Sequence, residues 1–356
     1  MILVPLFILI AMIGVKMQKG IFMSFLVLVA TKSIMDAFWE IKLGPLSILA
    51  VQGILIPILY SEIFFKRKII PKRWLDSAKI YVLALSMGLI WAIAVKPMAT
   101  VETVILNVNI YLGFILIPIF ITDQKRLKQL LIAVMICGIF PILVSVYQLN
   151  TGVVFQERQT VGLTRYVGFY HDAFPVRFFG LMTLISILIY QSVFNIKGFL
   201  FKGFILLLAG GAFVSIYAVF SKAGVGIIGL WIVLLLLFSK SKVKQSFSVL
   251  IGLLVIFLVF QWFGDGINRP VHNEFFRVLM VNGIIGVLIL LVFILRKIKN
   301  IFKIHKNVRV FGMMLLGMYI IDCIGLVPGA YYYYNILVWG IFGTLLMKPR
   351  LFIKQK

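Results

Sequence analysis

Acidic side chains are scarce in this chain: Asp and Glu number 11 in 356 residues, against 35 Lys and Arg, and charged residues of both signs make up 13%. Soluble domains carry about 25% charged and roughly 45 to 50% apolar residues. Here the apolar share is 62% and the mean hydropathy +1.11, which excludes a soluble domain. Cysteine is also rare. Cys137 and Cys323 are the only two, and both stand inside apolar runs, where a thiol behaves as a small hydrophobe, so neither a disulfide nor a redox role is inferred. The three histidines form no metal-ligand spacing. His171 and Asp172, taken with His272 and Glu274, do not make an HExxH-type pattern, so no metal site and no cofactor is expected. Walker loops, GxSxG elbows and Rossmann glycine fingerprints are missing too. The first residues, Met1 to Val15, are apolar without a charged n-region or an A-x-A-like site. They read as an anchor or the remnant of a longer helix rather than a cleaved signal peptide.

What fills the chain instead is a series of apolar runs long enough to cross about 30 Å of hydrocarbon. Crossings are expected near 1–15, 20–31, 45–62, 78–95, 104–122, 129–149, 173–194, 203–220, 223–238, 246–263, 277–295, 310–327 and 335–347. The first two are short and read as crossings that are re-entrant or incomplete. The fold class that follows is all-α: a polytopic transmembrane bundle of 12 or 13 crossings forming one domain over 1–356. The net charge of +24 concerns topology more than partners. Every second connection is basic, and placing those connections in the cytoplasm puts most of the Lys and Arg inside, as the positive-inside rule requires. Nucleic acid is therefore not expected as a partner.

"FFKRKIIPKRW", Phe64 to Trp74, reads as an interfacial segment on anionic membrane lipid. "YYYY", Tyr331 to Tyr334, reads as an aromatic belt, with sugar stacking as the alternative. Two outward connections are chemically rich: outer loop 1 over 150–172, and outer loop 2 over 264–276 with a motif that runs on to residue 286. Long ordered loops on one face of a bundle commonly carry function.

In "RPVHNEFFRVLMVNGIIG", Pro270 suits a first helical turn, because its missing N–H has no partner there anyway. His272 then falls in that turn, where the positive helix end favours an anion and keeps imidazole neutral and able to accept a proton. Arg269 beside it can hold a phosphate oxygen. At 100° per residue Gly283 lies about 20° from His272 around the helix and Gly286 about 40° to the other side. That shared face of small residues would admit a neighbouring helix closely. Arg277 should point elsewhere and snorkel. His171 and Asp172 could form a second acid/base pair, contact a sugar, or simply cap a loop end. Asp322 should face the bundle interior or an outer cavity, since lipid exposure is costly.

The spacing of His272, Asn273, Gly283 and Gly286 resembles the HNx9GxxG signature of the O-antigen ligase and polymerase family, integral-membrane glycosyltransferases that use polyprenyl-diphosphate-linked sugars. "RYVGFYHDAFP", Arg165 to Pro175, is similar to that family's outer-loop arginine stretch, with "HDAFP" where Asn-Pro-Asn is commoner. "VFSKAG", Val219 to Gly224, is similar to its Ser-Arg-Gly turn, with Lys222 at the arginine position; lysine keeps the charge but loses the bidentate fork. The similarity covers about 150–295.

The resemblance implies an enzyme that polymerises undecaprenyl-diphosphate-linked repeat units of O-antigen, capsule or exopolysaccharide at the outer face of the bacterial cytoplasmic membrane. A flippase and a chain-length regulator would be its partners. Arg165, Lys222 and Arg269 would bind the diphosphate and His272 would act as base, with Asn273, His171, Asp172 and Asp322 as further substrate contacts. A ligase moving the finished glycan to lipid A core or protein shares the motif. A flippase is a rival of another class, disfavoured because the midplane reads as nearly charge-free.

Overall fold

The computed structural model describes residues 3–44, 46–66, 69–160, 163–195, 198–239, 273–325 and 327–354. The chain is an all-α, multi-pass membrane protein. Six of the described helices are long and apolar enough to cross a bilayer, within Thr103–Phe120, Gln124–Thr151, Ala173–Val193, Phe199–Ala218, Glu274–Phe302 and Lys306–Ile324. Shorter apolar helices accompany them. The crossing expected over 246–263 lies outside the described residues.

The chain divides into two compact units. The first comprises Met1–Tyr60, Thr122–Val225 and Lys354–Lys356, and the second Ser61–Ile121 and Gly226–Ile353. In the first unit, α1 (Leu3–Lys19) and α2 (Ile21–Ala37) pack together, and α3 is Ile48–Tyr60. The two helices read as incomplete crossings are each 17 residues long. α8 (Gln124–Thr151) starts at Asp123, whose Oδ1 accepts the Arg126 N–H at 2.9 Å. That bond holds the exposed carboxyl of Asp123 below the usual carboxylate range. α9 (Ala173–Val193) is the unit's centre, almost wholly buried against α2, α8 and α10 (Phe199–Ala218). Small residues make that packing possible: a Cβ at Gly138 would strike Thr183 of α9, and one at Gly180 would stand 2.8 Å from Ser215 Oγ of α10.

One ion pair is buried toward the C-terminal end of α2. Lys32 and Asp36 of α2 are 3% and 6% exposed and form an ion pair at 2.5 Å, with Lys32 Nζ also donating to Gln52 Oε1 at 3.1 Å. The two charges sit at i, i+4, one face of one helix, so they neutralise each other inside an apolar packing layer.

The second unit opens with α4 (Ile63–Lys66), α5 (Lys72–Ser86) and α6 (Leu89–Val95). Two expectations fail in this stretch. The crossing over 78–95 is split by a turn at Met87–Gly88, and the segment ending at Trp74 does not lie wholly at an interface. Trp74 is 3% exposed, donates from Nε1 to the Phe114 carbonyl at 2.8 Å, and packs so tightly that only a glycine fits at position 343 opposite its ring.

α7 (Pro97–Phe120), α12 (Glu274–Phe302), α13 (Lys306–Gly325) and α14 (Tyr332–Met347) complete the unit, and α11 (Lys222–Leu237) runs across the boundary between the two. Its core is aromatic. Trp339 stacks on Phe114 at 5.7 Å and meets Phe293 at 5.0 Å edge to face, with Tyr81 and Tyr319 beside them. Such offset and edge contacts add about 0.5–1.5 kcal/mol per pair beyond area burial.

Candidate functional site

The loop over 150–172 belongs to the first unit and is tied down at several points. A two-residue hairpin pairs Gln159–Thr160 with Leu163–Thr164. The Arg165 N–H donates to the Arg158 carbonyl at 2.7 Å, the Tyr166 N–H to the Ala218 carbonyl at 3.0 Å, and the Gly168 N–H to Gln148 Oε1 at 2.8 Å. The Tyr166 bond matters most, because Ala218 ends α10 four residues before Lys222. It brings the Arg165 loop against the Val219–Gly224 turn.

In that turn Phe220 has a positive φ of 45°, and Ser221 Oγ accepts the Gly224 N–H at 3.1 Å at the start of α11. Ser221 also accepts from Nη1 of Arg177 at 3.2 Å. Arg177 is 6% exposed, lies over the Phe174 ring at 5.2 Å, and passes its side chain close to Gly224. Arg165 and Lys222 are partly buried. The Arg165 loop, the Arg177 side chain and Lys222 thus meet at one turn. Arg177 was not among the residues expected. A lone arginine inside the apolar stretch "AFPVRFFG" was the signal, since an ionisable group within a crossing defaults to a functional hypothesis.

His171 and Asp172 occupy the entry to α9. Asp172 is its N-cap, with Oδ1 accepting the Phe174 N–H at 2.7 Å, so this carboxylate satisfies an otherwise unpaired helix donor. His171 is exposed, meets Trp39 edge to face at 4.7 Å, and accepts Arg158 Nε at its carbonyl at 3.0 Å.

The HNx9GxxG segment lies at the edge of the described residues. Arg269, Pro270 and His272 fall outside them, and Asn273 is the first residue within. α12 begins later than expected. Asn273 is its cap, extended at φ −136° and ψ 124°, and its Oδ1 accepts the N–H groups of Phe275 at 2.9 Å and Phe276 at 3.3 Å. The first turn is therefore Glu274 to Arg277. Two unpaired donors gain a partner and an acidic residue meets the positive helix end. The expectation placing Pro270 and His272 in a first helical turn falls on residues outside the described ones; the described helix starts at Glu274.

The shared face of small residues is corrected as well. Gly283 has φ 66° and ψ −174° and breaks the helix, so counting 100° per residue through it fails. No described atom lies within 4 Å of where its Cβ would stand, whereas a Cβ at Gly286 would lie 2.5 Å from Asn282 Cβ and 3.2 Å from Val278 Cγ1. The first glycine answers a backbone demand and the second a packing demand. Asn282, just before the break, accepts the Gly88 N–H at Oδ1 at 2.7 Å. It links the break in α12 to the one between α5 and α6. Gly283→Ala, in a backbone region open almost only to glycine, should cost about 1–3 kcal/mol and lower the melting temperature of the detergent-purified protein. Gly14→Ala, in ordinary helical backbone with open space around it, should not lower it.

Arg277 does not snorkel. It grips Glu274 with both arms, Nη2 to Oε1 at 2.5 Å and Nε to Oε2 at 3.3 Å, and Glu274 is fully buried. Both side chains crowd Gly329 of the 3-10 turn Pro328–Ala330. The carbonyl of Pro328 accepts from Asn335 Nδ2, whose Oδ1 accepts from Tyr81 OH at 3.1 Å, and Tyr81 OH in turn accepts from Tyr319 at 3.3 Å. Asp322 is fully buried and accepts from Tyr334 OH at 3.0 Å. Of the tyrosine run, Tyr333 and Tyr334 are 7% and 0% exposed, so half of it is core rather than belt.

Comparison with family models, with curated proteins and with solved structures returned no match. The site rests on its own geometry.

Proposed function

We propose that this chain is a membrane glycosyltransferase that polymerises polyprenyl-diphosphate-linked repeat units into a surface polysaccharide at the outer face of the bacterial cytoplasmic membrane. The observation that carries the reading is the joining of the Arg165 loop to the Lys222 turn, with Arg177 anchored on Ser221. A diphosphate leaving group needs cations held in place before charge develops on it, and cations carried on a tied-down loop and turn meet that need better than mobile surface ones. In this reading Arg165, Lys222 and Arg269 hold the diphosphate. His272 removes the proton from the attacking sugar hydroxyl, the hydroxyl oxygen bonds the anomeric carbon, and the bond to the lipid diphosphate breaks with its electron pair on the phosphate oxygen. Asn273 and Asp172 serve first as helix caps, and any sugar contact they make uses the atoms the caps leave open.

The acceptor tests the assignment. Purified protein incubated with lipid-linked repeat units alone should give a ladder of longer lipid-linked glycans. A ladder that needs no lipid A core supports polymerisation. Product that appears only when lipid A core is added makes the chain a ligase, and no product with either acceptor sinks glycosyl transfer.

A further inference from the structure

The second unit contains a cavity of about 330 Å³ at the end where α5 and α13 begin and α12 and α14 finish. Its wall includes Arg73 and Trp74 of α5, Asn300 and Lys303 of α12, His305 in the turn that follows, and Pro349. Its charges are almost all of one sign. Arg73 and Lys303 are exposed and have no carboxylate partner among the described residues; the nearest acid on α5, Asp76, stands 3.9 Å from Lys79.

Behind Trp74 lies Lys297. It is fully buried, its Nζ has no hydrogen-bond acceptor among the described residues, and it sits 4.2 Å from the centroid of the Trp74 ring and 4.9 Å from that of Phe293. Cation–π contacts of this kind are worth about 0.5–2 kcal/mol, less than the several kcal/mol that burying an ion costs. Its electrostatic neighbours Arg73 and Arg296 repel it. The N-terminus of α13 adds positive potential: His305 accepts the Asn307 N–H at Nδ1, and the first turn carries no acidic residue. Two other cations nearby are already satisfied by carbonyls at helix ends, Lys348 on Pro118 and Ile121 and Arg309 on Phe302 and Ile304. The unsatisfied positive charge is thus concentrated at the cavity, with the buried Lys297 amine behind its aromatic wall.

We propose that this cavity binds a phosphate-bearing anion, supplied by the headgroup of an anionic phospholipid or by free phosphate. Its volume is of the size that holds a small ligand, about 300–1,000 Å³, and its position at the end of a helical bundle is one where basic pockets take lipid headgroups. The test uses full-length protein in nanodiscs, with retained phosphatidylglycerol and phosphatidylcholine counted by native mass spectrometry and inorganic phosphate titrated calorimetrically. Wild type should prefer phosphatidylglycerol by about tenfold or more, Arg73→Glu with Lys303→Glu should abolish the preference, and Lys297→Met should weaken it several-fold. Phosphate heats that vanish in the double variant, without a phospholipid preference, assign the site to free phosphate. If neither anion binds wild type, or if the double variant binds as wild type does, the proposal fails. Arg73 and Lys303 are exposed, so the double variant decides the matter even if Lys297→Met does not fold.

Discussion

His272→Ala should leave a protein that folds and still retains its lipid-linked donor, yet extends glycans about 10²–10⁴-fold more slowly, the range that a positioned general base contributes. The size of the loss follows from the division of labour proposed above. Departure of the diphosphate is helped by cations that the substitution does not touch, so donor binding survives. The acceptor hydroxyl, by contrast, loses the group that takes its proton. Two readouts separate this from a folding defect: monodisperse elution of the variant, and donor retained at the wild-type level by native mass spectrometry. A variant that polymerises at the wild-type rate removes His272 from the chemistry, whatever its neighbours do. The supporting structure begins one residue on, where Asn273 caps α12 with two hydrogen bonds. A cap of that kind fixes the direction in which the chain enters the helix.

The bundle was legible because its cause is local and repetitive. Apolar runs of membrane length separated by basic connections leave few alternatives to helices, since backbone groups in hydrocarbon must bond within their own segment. The breaks were not legible. Met87–Gly88 divides α5 from α6 and Gly283 bends α12, and neither carries a proline; a glycine in an apolar run looks the same whether it serves backbone or packing. The two motif glycines illustrate this, being alike in sequence and opposite in role. The buried ions were legible in principle. Lys32 and Asp36 stand at i, i+4, Glu274 and Arg277 at i, i+3, and Arg177 stands alone in an apolar stretch, and spacings of three or four on a helix place partners side by side. The direction of Arg277 follows from the carboxylate one turn before it, Glu274, and not from its angle to His272. What no local pattern encodes is which distant segment a residue meets: that Tyr166 bonds Ala218, or that Gly329 accommodates the Glu274–Arg277 pair.

Arg277→Ala should destabilise the protein by about 2–4 kcal/mol, a little under the roughly 3–5 kcal/mol for breaking a fully buried ion pair, because Arg277 itself keeps 30% of its side chain exposed. The cost arises on the carboxylate. Glu274 is fully buried, so losing the guanidinium leaves its oxygens facing Gly329 and the turn at Pro328 without a charge partner. That turn accepts from Asn335, which is bonded to Tyr81 in the aromatic core, so the damage should reach beyond the pair. Glu274→Gln in the same chain removes the unpaired charge and should recover much of the loss, although an amide cannot restore both hydrogen bonds. Thermal unfolding of the single variants and of the double variant in one detergent closes a double-mutant cycle. Melting of Arg277→Ala within the error of wild type would show that the pair carries no stability. A double variant no more stable than Arg277→Ala would place the cost in lost arginine packing and not in the stranded carboxylate.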